Sequence, residues 1–365
     1  MNKYVKRYLI DALGGMAQGL FASLLIGTII KTLGQQLLRL GTNCVFQFLV
    51  DAGNFCTDPH VFGAAMAIGI GFAMQVSPLV LFSLAAVGSA ANIAGGAGGP
   101  LAVLFVAIAA AECGSLVSKK TKVDIIVTPL VTILSGSLLT VLTAKYIGAC
   151  ASSFGTLIMW ATTLHPFVMG MIVSVVTGML LTLPVSSAAI CAAFGLTGLA
   201  GGAAVAGCCA QMVGFAVLSF RENKWSGLLS QGLGTSMLQM PNIIKNPLIW
   251  LPPTLASLIT GPVATCIFKM EMNGAPVSSG MGTCGFVGQI GVITGWFNQS
   301  TVEVTADTAV TLGDIISQAA VHPTLFDWIG LVLVCFILPG LLTWGFGLIF
   351  RKAGLIKEGD LTLGD

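Results

Sequence analysis

The residues of this chain that could do chemistry are neutral and sit beside helix breakers. Ser186 and Ser187 lie just past Pro184. Asn246 precedes Pro247, and Thr254 follows Pro252 and Pro253. Asn92 stands before the pair Gly95–Gly96, and Asn273, Ser278, Ser279 and Gln289 fall in a glycine-rich tract from Met272 to Gly291. Hydroxyls and amides next to interrupted helices are suited to holding a polar solute by hydrogen bonds. They are not suited to breaking bonds. The competing role for each hydroxyl is a bond to its own helix or to a neighbouring one.

Charge within the apolar runs is scarce and therefore informative. Glu112 lies seven residues before Lys119, about two helical turns into its run, where it could couple a proton or cation to transport or simply pair with a base. Asp124 opens the next run and reads as a helix-start carboxylate. His165 and His322, each followed by proline, read as boundary residues. No Ser-His-Asp set, paired carboxylates or metal-ligand spacing is visible, so no catalysis, cofactor or metal is expected. The run Gly95, Gly96, Ala97, Gly98, Gly99 lacks the GK[ST] of a phosphate loop and follows an apolar segment instead of a strand. It reads as a helix break.

The elements that must position these groups lie in lipid. Of 365 residues, 55% are hydrophobic and 8% charged, and mean hydropathy is +0.94, whereas a soluble domain draws about a quarter of its residues from the charged types. The net charge of +2 is scattered, so no nucleic-acid face is present. The ten cysteines show no CxxC spacing and read as small packing residues, with Cys44 and Cys56 a candidate disulfide within one polar loop. The apolar run after Lys3, Lys6 and Arg7 reads as a retained first span.

Runs near the twenty residues needed to cross a bilayer are Leu9 to Leu38, Val61 to Pro78, Leu101 to Val117, Ile125 to Ala144, His165 to Leu183, Ala203 to Phe220, Leu248 to Phe268 and Leu325 to Phe350. Leu79 to Ala94, Val185 to Ala200 and Phe286 to Phe297 are shorter and read as thin crossings or broken helices. Basic clusters at Lys3, Lys6 and Arg7, at Lys119, Lys120 and Lys122, at Arg221 and Lys224, and at Arg351, Lys352 and Lys357 place four segments and both termini in the cytoplasm. The acidic segments around Asp51 and Asp58, and around Glu303, Asp307 and Asp314, then lie outside. Trp160, Trp296 and Trp328 belong to the outer interface, and Trp225, Trp250 and Trp344 to the inner one.

Pro78 and Ala94–Ala97 recur as Pro184 and Ala200–Ala203 at one offset of 106 residues. A basic loop and a proline-containing span follow in each half, with the offset growing to about 124. The expectation is an all-α, polytopic transmembrane bundle of about 8 to 10 spans, with broken or re-entrant helices and two internal repeats. It forms a single transmembrane domain over 1–365, with one repeat over 61–145, the second over 165–270, and a re-entrant tract and last span over 271–350. Breaks at Pro184, Pro253, Gly95–Gly96 and Gly201–Gly202 would free backbone polar groups that survive in hydrocarbon only when protein, water or a ligand satisfies them.

Four stretches resemble the PfoR-like membrane proteins, which are grouped with the integral IIC components of the sugar phosphotransferase system. They are SKKTKVDIIVTPLV from Ser118, LPVSSAAI from Leu183, NPLIWLPPTLAS from Asn246 and NGAPVSSGMGTCGFVGQIG from Asn273. The resemblance spans nearly the whole chain. It implies a permease-like protein of the bacterial cytoplasmic membrane, homodimeric, and served by separate IIA and IIB partners, because no domain of either kind is fused to it. The reading is a transporter of a sugar or similar small polar solute, with Ser186, Ser187, Asn246, Thr254, Ser279, Asn92 and Gln289 as solute contacts and Glu112 as coupling group. The alternatives are an ion-coupled transporter or facilitator on the same scaffold, and a membrane-embedded sensor or regulator acting through the loop from Arg221 to Asn246. A channel is disfavoured by the lack of any ring-forming charge pattern.

Overall fold

The computed structural model of the chain describes residues 6–40, 43–297 and 323–363. Lys3, His322, Glu303, Asp307 and Asp314 lie outside the described residues. Proline and capping side chains set most of the helix starts. The first helix, α1 (Lys6–Leu38), is followed by α2 (Cys44–Cys56), which Asn43 caps, and by α3 (Pro59–Ala73), capped by Asp58. Then come α4 (Pro78–Gly95) and α5 (Gly99–Val117). Prolines at the first turn of α3, α4 and α5 need no N–H there, which is why they begin helices instead of ending them.

After Lys119–Lys122 runs α6 (Asp124–Thr162), a continuous 39-residue helix about 58 Å long. It carries a π-turn over Thr140–Ala144. The second half begins with α7 (Pro166–Thr182), the short α8 (Ser187–Ala193) and α9 (Gly198–Leu218). It continues with α10 (Phe220–Leu229), α11 (Met240–Lys245) and α12 (Pro247–Ile267). It ends with α13 (Val287–Phe297) and α14 (Leu325–Lys352). Among the described residues six helical segments are long and apolar enough to cross a membrane, α4 and α5 counted together as Pro78–Val117, and the chain is a multi-pass membrane protein.

Glycine permits the closest helix contacts. Gly15 of α1 and Gly69 of α3 lie so near each other that a Cβ on either would overlap the other's carbonyl oxygen. α2 and α3 both run antiparallel to α1, and α3 to α6 then alternate in direction, but α7 and α9 run parallel. Thr177 Oγ1 reaches Ala204 O and Thr182 Oγ1 reaches Gln211 Oε1. Two consecutive parallel helices need the chain to climb back between them, and Leu183–Thr197 with α8 does this. α12 returns antiparallel to α7, with Ser174 Oγ donating to Ser257 O at 2.7 Å and Thr265 Oγ1 to Pro166 O at 2.9 Å.

One apolar cluster joins Ala12 and Leu13 of α1 to Met240, Ile243, Ile356 and Leu361. The start of α1 and the C-terminal tail therefore share one face. Arg7 pairs with Glu112 on the same side, Ser77 with Ser118, and Arg351 with Glu222. This face collects the described basic clusters and is called the basic face below. At the opposite face Trp296 and Trp328 stack edge to face at 4.9 Å.

Several boundaries differ from the sequence expectation. Pro78 opens α4 instead of closing the previous span, and Leu79 to Ala94 belongs to an 18-residue helix. The run Ile125 to Ala144 does not stop at Lys145: after the π-turn α6 continues to Thr162. Cys44 and Cys56 cap opposite ends of α2, about 18 Å apart, too far for a disulfide. The anchors of the repeat occupy unlike places. Pro78 starts a helix while Pro184 lies in coil, and Gly95–Gly96 ends a helix while Gly201–Gly202 lies inside α9.

Candidate functional site

Two chain interruptions, the turn between α4 and α5 and the stretch after α7, hydrogen-bond to each other. α7 stops at Thr182 because Pro184 lacks an N–H and forces Leu183 into extended backbone. α4 stops at Gly96, whose φ of +52° and ψ of −121° suit glycine alone. The freed N–H of Ser186 then donates to the freed carbonyl of Ala97 at 3.0 Å. Each break satisfies a group that the other exposes. Ser186 Oγ caps α8 by accepting from Ala189 N at 3.2 Å.

Gly195 and Gly198, with φ of +58° and +61°, form a second interruption before α9. The expected break at Gly201–Gly202 is not there. Both residues are helical and buried because the Met270 carbonyl occupies the place a Cβ on Gly202 would take. Pro253 also makes no break, since α12 opens with a 3₁₀ turn over Pro247–Trp250 and Pro253 falls in the first turn of the α-helical part from Leu251, where proline is tolerated.

The tract after α12 enters from the face opposite the basic one. Met272 and Gly198 exchange backbone hydrogen bonds at 3.0 and 2.9 Å, and Gly198 N also donates to Asn273 Oδ1 at 3.1 Å. From this anchor the chain dips inward as a hairpin. Ser279 Oγ donates to Leu196 O at 2.6 Å, and Ser187 Oγ to Gly280 O at 2.7 Å. At the tip Thr283 Oγ1 reaches Met212 Sδ of α9 and donates to Gly232 O. α13 then climbs back, with Gly291 beside Ser278 and Gly295 beside Asn273.

Gly232 belongs to a loop that dips in from the basic face, so two re-entrant tips meet at the level of Met212. The next turn of that loop brings Ser236 Oγ within 2.8 Å of Thr182 Oγ1. Thr182, Gln211 and Ser236 are fully buried. Gln211 is the hub: its Oε1 accepts from Trp250 Nε1 at 3.1 Å and from Thr182, and its Nε2 donates to Thr254 Oγ1 at 3.2 Å.

The fold therefore gathers Ser186, Ser187, Ser279 and Thr254 around α7 to α9, with Gln289 on the same hairpin. Gln289 Nε2 donates to Cys209 Sγ at 3.2 Å, while its Oε1 is buried with no partner among the described residues. Asn92, Asn246 and Glu112 are placed elsewhere. Asn92 Nδ2 ties Pro59 O at 2.8 Å. Asn246 caps α12 and clasps Leu355 O and Asp360. Glu112 is ion-paired with Arg7 at 3.0 Å. Sequence reasoning missed Gln211, Thr182, Ser236 and Thr283. Gln211 carried a usable signal, being the only amide within the 21 apolar-run residues of α9.

On the basic face a cavity of about 500 Å³ opens between α1, the loop after α10 and the tail. Gln18 and Phe21 of α1 face Ser226 and Ser230 across it, and Thr362 and Leu363 wall one side. The tail is held by amides: Asn223 donates to Leu361 O and accepts from Leu363 N, Gln239 donates to Leu361 O, and Asn242 to Thr362 O. Of these amides only Asn223 lines the cavity, beside Gln18, Ser226, Ser230 and the Glu222 carboxylate.

A family model described as "Phosphotransferase system, EIIC" matches residues 10–363. No curated protein and no solved structure shows a match.

Proposed function

The chain belongs to the EIIC family of the phosphotransferase system, and from that premise we propose that it carries a sugar or similar small polar solute by alternating access. EIIC proteins are transporter components and not catalysts by themselves, so phosphorylation of the solute would come from separate IIA and IIB partners. The basic face is cytoplasmic on this reading, in a bacterial cytoplasmic membrane, and the working unit is a homodimer.

One observation carries the proposal. Interrupted backbone at Gly96 and at Leu183–Ser186 is paired through Ser186 N and Ala97 O, the hairpin after α12 reaches Ser187 through Gly280, and its tip at Thr283 meets Gly232. Hydrogen-bonding groups held at mid-depth by discontinuous helices are the usual means of binding solute between moving parts. Ser186, Ser187, Ser279, Thr254 and Gln289 are the proposed contacts, joined by Gln211 and Thr182. The tips at Gly232 and Thr283 are the proposed gates, and the cavity beside Gln18 is the cytoplasmic vestibule. Glu112, paired with Arg7, is a latch at that face on this reading, and Asn92 and Asn246 hold the scaffold.

The test is uptake of a panel of labelled sugars into liposomes containing the purified chain. A transporter accumulates at least one of them, and Ser186→Ala with Ser187→Ala lowers that uptake at least tenfold without lowering the amount of folded protein. Absence of uptake across the panel, with or without IIA and IIB proteins, contradicts it. The sensor reading needs a free cytoplasmic loop, whereas in the loop from Arg221 to Asn246 the side chains of Asn223, Gln239 and Asn242 are clasped to the tail.

A further inference from the structure

A second concave feature on the basic face has a different chemistry. Where α9 ends, α10 and the last turns of α14 enclose a groove of about 420 Å³. Its walls are Val217, Phe220, Trp225, Leu228, Trp344 and Leu348, and Arg221 and Arg351 stand at its polar end. Trp225 is 70% exposed and Trp344 54% exposed. Two open indoles at the end of membrane helices mark the level of the lipid headgroups.

The two arginines are not equivalent. Arg351 is neutralised by Glu222, at 2.9 and 3.1 Å to its two oxygens. Arg221 is exposed and, among the described residues, makes no ion pair or side-chain hydrogen bond. Lys224, three residues on at a kink in α10 where φ is +50°, is also exposed and unpaired among the described residues. The groove thus presents an apolar body at the boundary of the hydrocarbon and an uncompensated positive rim. A sugar would find almost no hydrogen bonds along these walls, and a free phosphate would use none of the aromatic surface. An amphipathic anion uses both.

We propose that this groove binds an anionic phospholipid, with an acyl chain between Trp225 and Trp344 and the headgroup phosphate on Arg221. Basic residues just cytoplasmic of a membrane helix attract anionic headgroups in this way. The bound lipid would brace α10 against α14 beside the Arg351–Glu222 pair.

The full chain is reconstituted in dioleoylphosphatidylcholine vesicles containing a tenth of either brominated phosphatidylglycerol or brominated phosphatidylcholine, and tryptophan fluorescence is recorded. Bromine quenches only indoles it can touch. Brominated phosphatidylglycerol is expected to quench more strongly, and the excess disappears in Trp225→Phe with Trp344→Phe. Arg221→Gln lowers the preference roughly fivefold, and Arg221→Lys retains it. Arg221 is exposed, so an unchanged melting temperature confirms that the variant is folded. Equal quenching by the two lipids, or an excess that survives Arg221→Gln, overturns the proposal. So does a Trp225→Cys variant that cross-links to a second copy in place of the lipid response.

Discussion

Gln211 and Glu222 show how much a single buried polar side chain can decide in this molecule. Glu222 is 5% exposed and pairs with Arg351, which also donates to Leu218 O. Removing one partner strands a buried charge, at a cost of about 3–5 kcal/mol. Arg351→Met is therefore expected to lower the melting temperature sharply, and Arg351→Met with Glu222→Leu to recover most of the loss. Gln211 can be tested without charge. Gln211→Leu leaves Trp250 Nε1 unpaired, which costs about 1–3 kcal/mol, and should abolish any uptake the parent shows. At this scale the sequence was legible only in part. Ser186 and Ser187 stood out because proline precedes them, and Gln289 because glycine surrounds it. Asn246 looked the same in one dimension, yet its amide serves the tail, whose approach no local pattern announces.

The elements divide by how far their ends are set by local chemistry. Helix starts were readable in part: the run from His165 begins where Pro166 opens α7, whereas Pro78 closes the expected span from Val61 yet opens α4, since a first-turn proline needs no N–H. Helix continuations were not. α6 runs on through Lys145 with a π-turn over Thr140–Ala144 just before it, and the paired glycines of α9 lie in unbroken helix, where they admit the Met270 backbone. Identical strings, Ala94–Ala97 and Ala200–Ala203, thus adopt opposite fates according to what packs against them. Two substitutions separate these fates. Gly96→Ala places a side chain at a φ of +52° and is expected to cost at least about 1–2 kcal/mol. Gly202→Ala is expected to push the hairpin off α9, read as faster hydrogen exchange over 273–286 while α1 to α5 keep their protection.

For the molecule as a whole, the chain is a lipid-embedded bundle whose basic face is closed by its own C-terminus. Ile356 and Leu361 are buried, and four amide side chains hold the tail backbone. Ending the chain after Lys352 is expected to leave the bundle folded but to open the loop from Arg221 to Asn246 to protease. Composition revealed the membrane class, and the basic clusters revealed their common face, because both follow from solvation alone. The meeting of two re-entrant tips could not be read, because it depends on contacts between segments about fifty residues apart. That meeting is also the core of the transport proposal. The most direct measurement is uptake by a chain carrying Gly232→Cys and Thr283→Cys, with the exposed Cys44, Cys150 and Cys266 changed to serine. Oxidative cross-linking of the tips should stop uptake and reduction should restore it. Full uptake through quantitatively cross-linked protein would contradict the account.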